Sequence, residues 1–382
     1  MLKAQFISPS PPPSTRENLS SRLQDLHGII ATRHPEINRI ALATYDEDTD
    51  LLKTFINSTY GDATPFGRYE ARLSEVPSLQ RLALSGEKRI LQNLPEALAS
   101  RDATHSRWLT AAGFHSSYTV PIYHGERFVA FLFFDADRPN AFSDEVLRYL
   151  DLIGYLAAQM YLTGLVAVRT LISTVEVARG LTRIRDIETG HHLDRIAHYT
   201  RIITRGLADI VELDDEFIEH VFLFAPLHDI GKIGVPDSIL QKPGPLTLEE
   251  RKIMQSHVEL GVSVFDRMVQ DIGLPEDRTV RIMRNIIAYH HEALDGTGYP
   301  YRLSGDAVPL EARIVAIADI FDALTSERPY KPRWPNEAAF AELSSMAERG
   351  KIDAECVRAF LNNRAMVEDT QARFAENLNP AF

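Results

Sequence analysis

The chain is predicted to be a multidomain α+β protein, with an antiparallel sheet and its helices, a long connecting helix, and a C-terminal all-α region. Three observations carry that prediction. Two hairpin patterns end by about Asp135, Ser143 then opens an apolar helix with no stop before Val168, and from Val166 onward the pattern stays helical between loops rich in Pro and Gly. A length of 382 residues exceeds one typical domain, while 45% hydrophobic and 25% charged residues make an ordinary globular balance.

Taken in order, Met1–Arg16 carries a Ser/Pro run from Ser8 to Ser14 where a secretory signal needs an apolar core, so residues 1–17 are expected to be a disordered leader. Asn18–Arg33 places Leu19, Leu23, Leu26, Ile29 and Ile30 near helical spacing. Ile40–Tyr45 and Leu51–Asn57 flank the acidic turn Asp46–Asp50 and predict one hairpin. Ser117–Tyr123 and Phe128–Phe134 flank His124-Gly125-Glu126 and predict a second. Ser78–Ser85 between them is a helix candidate.

Ser143 suits an N-cap, with Asp144 and Glu145 set to meet the helix dipole. The uncharged stretch Leu152–Val168 lies at the short edge of a membrane span, but it contains Gln159 and Thr163 and follows the balanced pair Arg148 and Asp151. A buried or dimerising helix is therefore expected, with no membrane span and a cytoplasmic location. Beyond it, loops at 234–245, 273–275 and 295–309 separate helices, and Thr247 with Glu250 forms a capping-box pattern.

The formal charge of −12 argues against a polymeric nucleic-acid partner, which needs a basic footprint, although metals could hold a small anionic substrate. The single cysteine, Cys356, excludes an internal disulfide and a Cys-rich zinc site. Metal ligands would come from 13 histidines together with Asp and Glu.

The most informative string is His228-Asp229-Ile230-Gly231-Lys232, set in the apolar helical pattern Val221–Ile233. Adjacent helical positions diverge by about 100°, so His228 and Asp229 can converge on neighbouring metals, with Asp229 as a bridge. Lys232, one turn beyond His228, offers three donors to a phosphate oxygen. Glu188 and His192 have i, i+4 spacing on one helical face, His290-His291 is a second adjacent pair, and His257 follows the capping box. Asp319 lies in the apolar run Ile314–Phe321, where a carboxylate is costly unless paired or metal-bound. Each has an ordinary structural alternative: a histidine bonded to its neighbour, a surface Glu–His contact, or Asp319 as a cap or a partner of Arg313. Their combination favours a metal centre.

Two resemblances follow. The order of helix, hairpin, insertions, hairpin and exit helix from Asn18 to Met160 resembles a GAF domain, which implies an unknown small ligand or a dimer contact. Glu188-Thr-Gly-x-His192, His228-Asp229-Ile-Gly-Lys232, His257, His290-His291-Glu292, Asp295-Gly-Thr-Gly298-Tyr299-Pro300 and Asp319 resemble the HD-GYP family of HD-domain phosphohydrolases, in family order over Val166–Pro332. On that basis the chain divides into a GAF-like sensor at 18–145, a connecting helix at 146–175 and an HD-type catalytic domain at 176–382.

The HD-GYP resemblance implies eight metal ligands: Glu188, His192, His228, Asp229, His257, His290, His291 and Asp319. A glutamate at the position of Glu188 accompanies a trinuclear centre in the family, so three divalent transition metals are expected, iron first and manganese second, in keeping with mixed nitrogen and oxygen ligation. The implied activity is cyclic di-GMP phosphodiesterase, opening the ring to pGpG and continuing to GMP through a metal-bridging hydroxide, with His228, Asp229 and Lys232 catalytic. Arg328 and Lys331, in Arg328-Pro-Tyr-Lys331, are expected to contact phosphate or guanine with Lys232, though a solvated basic patch is the plain alternative. Tyr299 is a candidate substrate contact or packed structure, and its loop a candidate contact for GGDEF-domain diguanylate cyclases.

Ala293 departs from the family, which has a basic residue after His-His-Glu. A homodimer through the connecting helix is expected. The rival functions are a phosphohydrolase for another nucleotide and a non-catalytic cyclic dinucleotide receptor or scaffold.

Overall fold

The computed structural model describes residues 18–61, 67–98, 104–181, 190–208, 210–274, 276–326 and 333–375. The expected leader at 1–17, together with Glu188, Arg328 and Lys331, lies outside them. The chain forms two compact units, Met1–Ala167 and Val168–Phe382.

The first unit opens with α1 (Leu19–Arg33), whose first turn is closed by the Asn18 side chain accepting from Ser21 N. Strands β1 (Ile37–Asp46), β2 (Leu51–Thr59), β3 (Glu70–Arg72), β4 (Arg89–Leu91), β5 (Ser116–His124) and β6 (Arg127–Ala136) form one antiparallel sheet in the order β3-β2-β1-β6-β5-β4. The two hairpins lie at the centre, and the edge strands β3 and β4 are too short to give a period-two signal. Helices α2 (Pro77–Ser85), α3 (Leu94–Leu98) and α4 (Thr104–Ala111) fill the connection between the hairpins.

Alternation along β6 sends Leu132 and Phe134 into one core and Phe131 and Phe133 into another. The first core receives Leu23 and Ile30 of α1 and Val146, Leu150, Ile153, Ala157 and Tyr161 of α5 (Asp144–Leu181). The second receives Leu79 and Leu82 of α2. Among the described residues no helix is long and apolar enough to cross a membrane.

The second unit is helical. Helix α6 (Gly190–Leu207) packs against α7 (Asp215–Phe224), α12 (Leu310–Thr325) and α14 (Ala354–Leu361). Between α7 and α12 come α8 (Asp237–Leu240), α9 (Leu248–Gln255), α10 (His257–Ile272) and α11 (Arg278–Tyr289); α13 (Asn336–Glu348) precedes α14, and α15 (Arg364–Arg373) follows it. Tyr199 of α6 meets Phe321 and Phe360 edge-on at 5.4 and 5.6 Å between ring centroids, at the middle of the core. Thr247 and Glu250 make both bonds of the capping box.

One local expectation is corrected. The apolar pattern Val221–Ile233 predicts one helix, but α7 ends at Phe224 and two 3-10 turns follow, at Ala225–Leu227 and Ile230–Gly234. Pro226 is the physical reason: it has no N–H for the helical ladder, and its ring clashes with the preceding turn. The break leaves Asp229 between the turns at φ −100° and ψ 16°. Gly231 then passes so close to α10 that a Cβ there would lie 1.8 Å from the His257 carbonyl oxygen.

Candidate metal centre

Five elements deliver the histidines and aspartates to one place. His192 stands in the first turn of α6, His228 and Asp229 at the break after α7, His257 at the start of α10, His290 and His291 at the end of α11, and Asp319 on α12. Among the described residues, side-chain atoms of Asp229, His257, His290 and His291 all lie within 4.8 Å of one another, and those of His192, His228 and Asp319 form a second such group. His228 joins the two, its ring 6.0 Å from that of His192 and 5.1 Å from that of His290. Seven of the eight expected ligands are thereby gathered; Glu188 lies outside the described residues.

The rings are oriented by what their other nitrogens touch. Nδ1 of His228 faces the Ala225 carbonyl at 2.8 Å, Nδ1 of His257 the Met254 carbonyl at 2.7 Å, and Nδ1 of His290 the carbonyls of Ile286 and Ile287 at 3.1 Å each. A carbonyl only accepts, so each Nδ1 carries a proton and Nε2 is the nitrogen left to meet a metal. The pattern matches that of metal-ligating histidines, whose second nitrogen is held by a carbonyl or carboxylate.

Those Nε2 atoms converge on Asp229. Its Oδ1 lies 3.2 Å from His257 Nε2 and 3.8 Å from His290 Nε2, and its Oδ2 lies 3.1 Å from His228 Nε2. Nε2 of His228, His257 and His290 and Oδ1 of Asp229 are buried and make no hydrogen bond. Buried polar atoms without partners are rare because each forfeits its hydration, and here four point at a common space. The donor set of imidazole nitrogens and carboxylate oxygens fits a borderline divalent transition metal.

The electrostatics favour the same use. Burial opposes charge on Asp229, but Lys232, whose ammonium is 2.7 Å away, and His228 outweigh it and hold the carboxyl well below the usual range. Burial pushes His290 and His291 down, which favours the neutral form that a metal would need. Burial also opposes charge on His228, but Asp229 raises it; a cation would displace that proton.

Three supporting side chains were given no role of their own in the sequence, although Glu292 stood in the His290-His291-Glu292 motif. Asp322, 1% exposed, accepts from His192 Nδ1 at 2.7 Å, from Arg195 Nε at 2.6 Å and Nη2 at 3.0 Å, and from the Ser326 hydroxyl at 2.9 Å. Burial raises its carboxyl, but the bonds from His192 and Arg195 prevail and hold it at about 2. The signal was available, since Asp322 follows Asp319 at i+3 in the same apolar helix. Arg195 carried no such signal, because its partner is remote in sequence.

Glu292 is the third. Its carboxylate accepts from the backbone N–H groups of Tyr301, Arg302 and Leu303 at 2.7, 3.1 and 2.9 Å, and so ties the Gly298-Tyr299-Pro300 loop to the His290-His291 segment. Gly298 completes the contact, since a Cβ there would lie 2.3 Å from Ala293 N. Tyr299 is thereby stacked on His291 with ring centroids 4.7 Å apart. Arg313, the alternative partner for Asp319, instead pairs with Asp306 and Asp353, each at 3.1 Å.

A sheet unit followed by a helical unit built around histidines has family counterparts in both halves. Residues 35–160 match the GAF domain family and residues 182–356 the HD domain family. The two halves of the chain are thus similar to a GAF domain and to an HD domain, in that order.

Three curated relatives each match about half of the chain. The chain is 41% identical over 192 residues to the cyclic di-GMP phosphodiesterase response regulator RpfG of Xanthomonas campestris, covering 50% of this chain and 47% of that protein. It is 43% identical over 167 residues to 3'3'-cGAMP-specific phosphodiesterase 2 of Vibrio cholerae, covering 44% and 30%, and 38% identical over 204 residues to a cyclic di-GMP phosphodiesterase of Thermotoga maritima, covering 53% and 52%. The chain spans about half the length of these relatives, or less.

Proposed function

We propose that this chain is a metal-dependent phosphodiesterase that opens cyclic di-GMP to pGpG and carries it on to GMP. The observation that carries the reading is the set of histidine rings whose Nδ1 atoms are occupied and whose Nε2 atoms face Asp229. Bound divalent cations would supply the Lewis acidity that activates water and offsets charge on the phosphoryl group. Glu188, His192, His228, Asp229, His257, His290, His291 and Asp319 would hold them, and the eighth ligand is the reason to propose three cations. Iron is the first candidate and manganese the second.

Asp229 would be shared between cations, and Lys232, beside it, would keep it ionised while presenting donors toward phosphate. Arg328 and Lys331 are the further phosphate or guanine contacts, and Tyr299 a wall of the substrate site. The HD domain and the relatives support a cyclic dinucleotide. Because the relatives' names divide between cyclic di-GMP and 3'3'-cGAMP at 41% and 43% identity, a mixed cyclic dinucleotide is the second reading.

We further infer that residues 18–145 sense a ligand, with 146–175 as the connector and a parallel homodimer as the acting form. Leu152, Leu156, Gln159, Thr163 and Val166 follow a 4-3-4-3 spacing along α5, and all are exposed, Leu152 by 60%. The Gly298-Tyr299-Pro300 loop is the proposed contact for GGDEF-domain cyclases.

The test is metal analysis and product chromatography on protein purified anaerobically under reducing conditions, with cyclic di-GMP and 3'3'-cGAMP offered in parallel. Stoichiometric transition metal, GMP as the end product and faster turnover of cyclic di-GMP are expected. Accumulation of pGpG alone removes the second cleavage. Metal-loaded protein that binds but never cleaves, with Asp229→Asn behaving as the parent, makes the chain a receptor.

A further inference from the structure

Four of the five histidines at the metal centre are oriented through Nδ1. That of His192 meets a carboxylate, and those of His228, His257 and His290 meet backbone carbonyls, at 2.7 to 3.1 Å. His291 differs: among the described residues no hydrogen bond reaches its ring nitrogens. Three other rings surround it instead, His290 at 4.1 Å between centroids, Tyr299 at 4.7 Å and His257 at 5.1 Å. His257 stands edge-on at 89°, while Tyr299 lies nearly face to face at 28°.

Two of these three walls, His257 and His290, are fixed by their own carbonyl contacts. The third is fixed by its loop. The Tyr299 N–H donates to the His291 carbonyl at 3.2 Å, the Glu292 carboxylate takes up the N–H groups of residues 301–303, and a Cβ at Gly298 would lie 2.5 Å from Glu292 Cα. A flat aromatic face laid along an imidazole restricts its rotation about Cβ–Cγ, which a branched aliphatic side chain does not. His291 shares with Asp229, His257 and His290 the group of ligand atoms within 4.8 Å of one another, so the swing of its ring decides whether its nitrogen reaches their common point.

We infer, on the metal reading above, that Tyr299 is a positioning residue for His291: its aromatic face, and not its hydroxyl, holds the imidazole toward the cation shared with Asp229, His257 and His290. Glu292 anchors the loop that carries it. An aromatic stack of this kind changes an equilibrium by about two- to tenfold. The effect falls on metal binding, so it is measured without substrate and apart from any contact Tyr299 makes with a nucleotide.

The probe is manganese(II), titrated into the metal-free full chain with the free ion followed by electron paramagnetic resonance. Tyr299→Leu is expected to weaken binding about five- to tenfold, and Tyr299→Phe, which keeps the ring, to stay within about twofold of the parent. Tyr299→Gln gives the same reading if the leucine variant does not fold. A general loosening of the loop would act whether or not His291 is a ligand, so Tyr299→Leu is also placed on His291→Ala. There it should cost less than about a further twofold.

Parental affinity in Tyr299→Leu and Tyr299→Gln, a loss in Tyr299→Phe as large as in Tyr299→Leu, or the same factor lost with and without His291 would each overturn the role of Tyr299 and leave the metal reading intact. A parent that takes up neither manganese nor iron removes the metal reading, and the role of Tyr299 with it.

Discussion

Asp322→Asn separates the metal centre from its support. The carboxylate is almost completely buried and carries the His192 ring on one oxygen and the Arg195 guanidinium on both. The amide keeps the shape but loses the charge, leaving the Arg195 guanidinium, 6% exposed, beside a neutral partner. Removing one partner of a buried ion pair costs roughly 3–5 kcal/mol, so the urea midpoint of the metal-free protein should fall by an amount corresponding to that range. His192 also loses the acceptor that fixes its ring, and loss of such an outer contact weakens metal affinity by about 10–100-fold.

The control is Arg195→Met, which breaks the same ion pair but leaves the Asp322–His192 bond in place. It should lose stability and keep metal affinity within about threefold of the parent. Competition titration with a chromophoric chelator measures the affinities. Equal weakening by both variants would refute the reasoning, because metal affinity would then follow stability instead of the orientation of His192.

Other outcomes follow from the same geometry. Asp229→Asn should reduce bound metal sharply by mass spectrometry, and a chelator should change the variant's stability less than the parent's. Gly231→Ala forces a methyl into the His257 carbonyl, where both sides are backbone, and should destabilise by about 3 kcal/mol or more in urea; a loss below about 1 kcal/mol would contradict the close packing. Glu292→Gln weakens the acceptor for three backbone N–H groups and should make residues 299–303 cleave faster under limited proteolysis, with α6 unaffected.

The pH dependence of one carboxylate also has a defined sign. Burial raises Asp353, but the N–H groups of Cys356 and Glu355 and the Arg313 guanidinium outweigh it and lower its pKa. Its stabilisation is therefore complete above the ordinary aspartate value of about 3.9 and is lost as pH falls through the lower folded value. Asp353→Asn should cost about 1 kcal/mol or more at pH 7, and the gap to the parent should close under strongly acidic conditions.

By itself the sequence determined the succession of a sheet, a long helix and a helical region, because period-two and helical patterns are local and the central hairpins are long enough to display them. It also marked His192, His228, Asp229, His257, His290, His291 and Asp319, since such residues stand out chemically from an apolar background. Tertiary structure decided the rest. Pro226 turned an apparent helix into two tight turns and set His228 and Asp229 toward one point, a rotation that side-chain spacing cannot express. The backbone carbonyls that fix the rings do not vary with residue type and leave no mark on the sequence. Arg195 meets Asp322 only because α6 packs on α12.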